Sequence, residues 1–144
     1  MRLEHRLPTA SEFMELRAET DWGVPDRSVV ETLLKRSFSG VVAIENDKVI
    51  GMARTVGDGC VILYIQDVVV TASHRAQGVG LDLVQGLLNE AAQTCLPDCT
   101  IGLFAAIGQD GFYSKLGFSV RNHPAYGPGM HGTLSELAKS DNGA

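Results

Sequence analysis

The chain has 144 residues, 44% of them apolar and 6% aromatic, with a formal net charge of −5. That length suits one domain, and about 68–70% of the unfolded surface can be buried at this size, so neither disulfides nor metals are needed for a core. The negative charge and the lack of any Lys/Arg run argue against a nucleic-acid partner, which requires a clustered positive field.

In chain order, Leu3–Leu7 reads as a short first strand. Thr9-Ala10-Ser11-Glu12 is a capping box, a hydroxyl followed three residues later by a glutamate. The helix it opens carries Phe13, Leu16 and Arg17 and ends near Thr20. Asp21–Pro25 is a loop, and Asp26 caps a second helix whose Val29, Val30, Leu33 and Leu34 recur at helical spacing to about Phe38. Val41–Glu45 and Lys48–Val56 form a hairpin around Asn46-Asp47. Gly57-Asp58-Gly59 is a turn. Cys60–Val70 is a long strand, apolar enough to imply layers on both faces. After a polar loop, Leu81, Val84, Leu87, Leu88 and Ala91 predict a helix from Gly78 to Gln93. Pro97-Asp98 ends that region. Thr100–Ala105 is a strand, Gln109–Leu116 a short helix stopped by Gly117, and Phe118–Arg121 another strand. The tail to about Thr133 holds a last strand, and residues after Ser135 fray. The expected unit is a single domain over residues 1–134, followed by a frayed tail over 135–144. Strands mixed with helices in this order predict an α/β or α+β sandwich.

Cys60, Cys95 and Cys99 lack the number and spacing of a disulfide framework, and no Cys/His partners suggest zinc. No metal is expected. The N-terminus has no apolar signal core, and no apolar run reaches about 18 residues. A cytoplasmic protein without a membrane partner is expected.

The segment richest in chemistry is Arg75-Ala76-Gln77-Gly78-Val79-Gly80, between the longest strand and the best helix. A helix N-terminus offers unpaired N–H groups and a partial positive charge, which hold phosphate without lysine or metal. Gly78 and Gly80 let phosphate approach the backbone. The Lys-Ser/Thr pair of a P-loop is missing, and so is the G-x-G-x-x-G of dinucleotide folds. Two glycines easing a tight turn is the plainer alternative.

With Asp67-Val68-Val69-Val70 ahead of this loop and Phe112-Tyr113-Ser114-Lys115-Leu116-Gly117-Phe118 further on, the sequence resembles the GNAT superfamily of N-acetyltransferases. Arg75-x-x-Gly78-x-Gly80 after that strand matches the family's R/Q-x-x-G-x-G/A motif, and the later segment is similar to its F-Y-x-K-x-G-F motif. The resemblance covers Val41 to Arg121. It implies the GNAT fold: a mixed, mostly antiparallel sheet of six to seven strands, with helices on both faces and two neighbouring strands splayed apart. It also implies acetyl-CoA as cosubstrate. The backbone of Val68, Val69 and Val70 would pair with the pantetheine arm, because a splayed strand exposes amides that an amide chain can satisfy. The loop from Arg75 through Ala76, Gln77, Gly78, Val79 and Gly80 to Leu81 would hold the pyrophosphate. Tyr113 corresponds to the family tyrosine near the CoA sulfur and would act as general acid on the leaving thiolate.

Two departures stand out. The asparagine many relatives carry before that tyrosine is missing, and Gln109 is its candidate substitute. The acidic residue that glucosamine-phosphate acetyltransferases place before the strand's aspartate is Gln66 here. Asp67, Glu19 and Asp21 are the remaining base candidates, and a regular strand would aim Asp67 away from Gln66. The four histidines are left without a role. Trp22 and Tyr126 could wall the acceptor site or hold an ammonium by cation–π contact, with Glu19 and Asp21 adding negative charge. The chain is also similar to serotonin-type relatives, which suggests a small amine acceptor. A protein or peptide N-acetyltransferase and a non-catalytic acetyl-CoA-binding regulator share the same motifs. Relatives often pair through strand or tail exchange, which makes a homodimer the implied assembly.

Overall fold

A computed structural model describes residues 1–121 and 127–138. The chain forms two compact units, Met1–Ala106 and Ile107–Ala144.

In the first unit, five strands lie in the order β1 (Arg2–Glu4), β2 (Ser39–Glu45), β3 (Lys48–Gly57), β4 (Ile62–Val70) and β5 (Thr100–Leu103). Neighbours are antiparallel except β4 and β5, which run parallel because α3 (Val79–Thr94) carries the chain back between them. The hairpin turn works as its residues require: Asn46 and Asp47 both sit at positive φ (50° and 59°), the form that matches strand twist. β4 starts later than Cys60 because Asp58 intervenes. Its Oδ1 accepts the N–H groups of Cys60, Val61 and Ile62 at 2.7, 2.8 and 3.1 Å, tying them into a turn.

Helices cover both faces. α1 (Ala10–Arg17) and α2 (Arg27–Lys35) pack on one side, where Phe13, Leu16, Val30 and Leu34 meet Val42, Ile44, Met52 and Val69. α3 covers the other and comes close: a Cβ on Gly51 would lie 3.0 Å from Leu83 Cδ1 and 3.2 Å from the Val69 carbonyl. The four residues Val41–Ile44 are therefore buried on both faces.

The Thr9 capping box forms as expected, with the Glu12 amide donating to Thr9 Oγ1 at 3.2 Å and the Thr9 amide to Glu12 Oε2 at 2.8 Å. α1 ends at Arg17 rather than Thr20. α2 ends at Lys35 rather than Phe38, since the Phe38 amide already donates to the Thr55 carbonyl at 2.8 Å. Asp26 precedes α2 without a side-chain capping bond.

In the second unit, α4 (Asp110–Ser114) ends in a Schellman turn. The Gly117 amide donates to Ser114 (3.0 Å) and the Phe118 amide to Tyr113 (3.3 Å), with Gly117 at φ +95°. The strand expected at Phe118–Arg121 is absent, as is one among the described residues up to Thr133, so the described sheet has five strands rather than six to seven. The described residues run on to Ala138. α5 (Leu134–Ala138) forms there, capped by Thr133 and Glu136: the Glu136 amide donates to Thr133 Oγ1 (3.4 Å) and the Thr133 amide to Glu136 Oε2 (3.2 Å). No helix among the described residues is long and apolar enough to cross a membrane.

Candidate active site

The site begins where β4 is interrupted. Met52 pairs with Val69 and Arg54 with Gln66, so Asp67 and Val68 together face the single residue Ala53. This is a β-bulge, and Asp67 adopts φ +55° to make it. The bulge puts Gln66 and Val69 on the same face, three residues apart. It also turns the Asp67 side chain toward Arg54, on the Gln66 side. A regular strand had predicted the opposite side.

Asp67 is buried and holds two guanidinium groups. Its Oδ1 accepts from Arg17 Nη1 at 2.7 Å and its Oδ2 from Arg54 Nε at 2.6 Å. Both oxygens are committed, so Asp67 serves as a structural anchor rather than a base. Arg17 also donates to the Trp22 and Gly23 carbonyls at 3.1 Å each, which fixes the α1–α2 loop to the bulge. Neither arginine was singled out in the sequence. The contact spans 50 residues in one case and 13 in the other, and no local pattern announces it.

On its other side β4 pairs with β5 only from Ile62↔Thr100 to Ile65↔Leu103. Beyond that point, Gln66–Val70 has no ladder partner on that edge among the described residues. Val68 and Val70 are half-buried and Val69 is buried. The Val70 carbonyl accepts from Arg75 Nε at 3.0 Å. Just before the ladder ends, the Tyr64 ring meets Phe104 edge-on at 5.2 Å, and burial pushes its hydroxyl pKa upward.

β4 then runs into the glycine loop. Ala72–His74 form one 3-10 turn, Ala76 stands at φ +59° and Gly78 at φ +88°. An alanine held in the left-handed region costs about 1–2 kcal/mol, and such strain accompanies loops whose amides converge on an anion. Gly78 caps α3 without a side chain, and a Cβ there would meet open space. Its glycine is required by φ, and the approach to it is clear. The Asp82 amide closes the first turn onto the Gly78 carbonyl at 3.0 Å, leaving Val79, Gly80 and Leu81 as first-turn amides without an intrahelical acceptor. Val79 is buried and roots this end in the core.

Arg75 works as a loop brace: besides the Val70 carbonyl, it donates from Nη2 to the Glu19 carbonyl at 3.0 Å. Gln77 Nε2 closes the loop onto the Ser73 carbonyl at 3.0 Å. Glu19 accepts from the Ala72 amide at 2.6 Å and from Thr71 Oγ1 at 2.8 Å. The Ala72 bond, followed by that of Thr71, holds its pKa below the usual value, which disfavours it as a base. Trp22 is half exposed, but the Arg17 guanidinium already lies over its ring at 5.5 Å. Its cation–π partner is internal. His74 Nε2 is held by Glu45 Oε2 at 2.6 Å and is likewise occupied. Tyr126 and His123 lie outside the described residues.

Within the second unit, the Tyr113 ring packs edge-on between Phe112 (4.9 Å) and Phe118 (6.0 Å), all three half-buried, and Gln109 precedes the first turn of α4. The F-Y-x-K-x-G-F pattern is thus an aromatic trio closed by a Schellman turn, which fixes the orientation of the Tyr113 ring.

Residues 36–120, more than half of the chain, match the model of the acetyltransferase (GNAT) domain. The chain belongs to the GNAT acetyltransferases. Among solved structures, a Staphylococcus aureus protein described as a probable acetyltransferase is 25% identical, with a TM-score of 0.80 over 92% of this chain and 98% of its own. A GNAT-family acetyltransferase from Streptococcus pneumoniae is 23% identical, with a TM-score of 0.77 over 92% and 96%. Glucosamine-6-phosphate N-acetyltransferase from Arabidopsis thaliana shares the fold at 18% identity and a TM-score of 0.67 over 93% and 99%. No curated protein matches the chain by sequence. GNAT acetyltransferases use acetyl-CoA. The unpaired edge of β4 and the left-handed loop at the start of α3 suit its amide arm and its phosphates respectively.

Proposed function

We propose that this protein is an acetyl-CoA-dependent N-acetyltransferase that moves the acetyl group to the primary amine of a small molecule by direct attack in a ternary complex. The observation that carries this reading is the continuity of the bulge, the free edge and the loop. Among the described residues the β4 edge has no ladder partner from Gln66 on, and Ala76 and Gly78 turn the following loop onto open amides of α3.

Acetyl-CoA supplies the thioester. Val68 and Val69 offer backbone groups to its pantetheine amides, while the amides of Val79, Gly80 and Leu81 face its pyrophosphate. As the amine attacks, a C–N bond forms, the C–S bond breaks and the thiolate takes a proton, a role assigned to the Tyr113 hydroxyl on the family motif. Asp67 and Glu19 are engaged by their partners and Asp21 is exposed to solvent, so the amine's proton leaves through water.

The test is release of CoA thiol from acetyl-CoA by the purified protein at about pH 8, against amines, amino sugars, amino acids and short peptides. Release dependent on a small amine supports the reading. Release with peptides alone moves the acceptor class to proteins. CoA binding without release on the whole panel favours a regulator.

A further inference from the structure

A groove of about 500 Å3 lies between α2 and β3, on the α1/α2 face of the sheet. Its wall is a helical stripe of Val29, Thr32, Leu33 and Arg36, and its floor is Arg54 and Val56. Two features set its chemistry. Arg54 is mostly buried and immobilised, with Nε on Asp67 and Nη1 on Ser37 Oγ at 3.2 Å. Arg36 is exposed, and its guanidinium has no partner among the described residues. Asp67 is the carboxylate paired with this group of charges, and Arg17 and Arg54 share it. The groove itself is lined by two guanidiniums, Arg36 and Arg54, and by no carboxylate, in a chain of net charge −5.

The groove also lies close to the free edge of β4. Arg54 is the cross-strand partner of Gln66, where that edge begins, and adjacent strands are about 4.8 Å apart. Two of the features that would favour a cationic acceptor are satisfied internally, Trp22 by Arg17 and Glu19 by Thr71 and Ala72. A planar guanidinium fork is suited to carboxylate and phosphate oxygens.

We infer that this groove holds an oxyanion of the acceptor, so the acceptor is an amine that also carries a carboxylate or a phosphate. Val29, Leu33 and Val56 cover its carbon skeleton, and Arg36 and Arg54 take the oxyanion. The inference rests on the acetyltransferase reading above and narrows its substrate.

The experiment compares kcat/KM within matched pairs: L-lysine against cadaverine, L-phenylalanine against phenethylamine, and glucosamine 6-phosphate against glucosamine. At least tenfold preference for the oxyanion-bearing member of a pair is expected, and which pair shows it separates carboxylate from phosphate. Arg36 is exposed, so Arg36→Ala folds normally, and it is expected to collapse the preference within that pair about tenfold through KM. Equal or reversed preference in all pairs overturns the inference, as does an Arg36→Ala effect that is the same on both members. Calorimetric titration of L-lysine, L-phenylalanine and glucosamine 6-phosphate separates the two readings. Arg36-dependent binding without turnover keeps the groove and removes the transferase reading. Turnover without oxyanion preference does the reverse, and absence of both binding and turnover overturns the groove.

Discussion

Arg17 Nη1 donates to Asp67 Oδ1 at 2.7 Å, joining the end of α1 to the bulge in β4 across 50 residues of sequence. The carboxylate is almost fully buried, and Arg54 occupies its second oxygen. Removing one member of a buried ion cluster leaves the others charged and unpaired, which costs about 3–5 kcal/mol. Asp67→Ala is therefore expected to lose about that much stability, measured as the shift of a urea unfolding curve with unchanged slope. A loss under about 1 kcal/mol would show that water reaches the cluster and screens it.

Glu19 makes stability depend on acid. Its ordinary pKa of 4.5 is lowered in the fold, first by the Ala72 amide and then by the Thr71 hydroxyl. A depressed carboxylate contributes stability above its unfolded pKa and loses it as pH falls through the folded value. Glu19→Gln is expected to melt at lower temperature than the parent at about pH 7, with the gap closing as pH falls below 4.5. A gap that stays constant over that range would assign the effect to packing. The site is exposed, so the difference is small.

What the sequence shows in advance follows locality. The Thr9 capping box, the Asn46-Asp47 turn and the α3 stripe each depend on residues close in sequence, and each forms as read. The bulge does not, because a residue at positive φ inside a Val-rich run leaves no local mark. It reverses the side on which Asp67 lies and gives Arg17 and Arg54 their roles. The Phe118–Arg121 stretch alternates like a strand, but strand character depends on a ladder partner elsewhere. By contrast, Thr133-x-x-Glu136 is a local helix signal of the same kind as Thr9-x-x-Glu12, and reading it would have found α5. The Arg36–Arg54 groove depends on tertiary neighbours and is out of reach of local pattern.

Gly78 separates backbone strain from ligand contact. At φ +88° an added Cβ is strained by about 1–2 kcal/mol although the space is open. Gly78→Ala is expected to cost roughly that much stability and to weaken CoA binding modestly. Gly78→Glu adds a negative charge where the phosphates would sit and is expected to reduce CoA affinity at least about 100-fold, or about 2.7 kcal/mol, by isothermal calorimetry. Equal affinities for Gly78→Glu and Gly78→Ala would detach the loop from the phosphates.

Tyr113 packs edge-on against Phe112 and Phe118. Tyr113→Phe keeps those ring contacts and removes only the O–H. If that hydroxyl protonates the departing thiolate, kcat should fall about 10²-fold or more, while CoA affinity changes little. The loss should shrink with thioesters whose thiols leave more easily, because a weaker base needs less help from an acid. Comparing acetyl-CoA with such a truncated or more acidic thioester separates acid catalysis from substrate positioning, since a positioning defect lowers both rates equally. Unchanged kcat at saturating substrates would remove the acid role and leave Tyr113 as a packing residue of its aromatic trio.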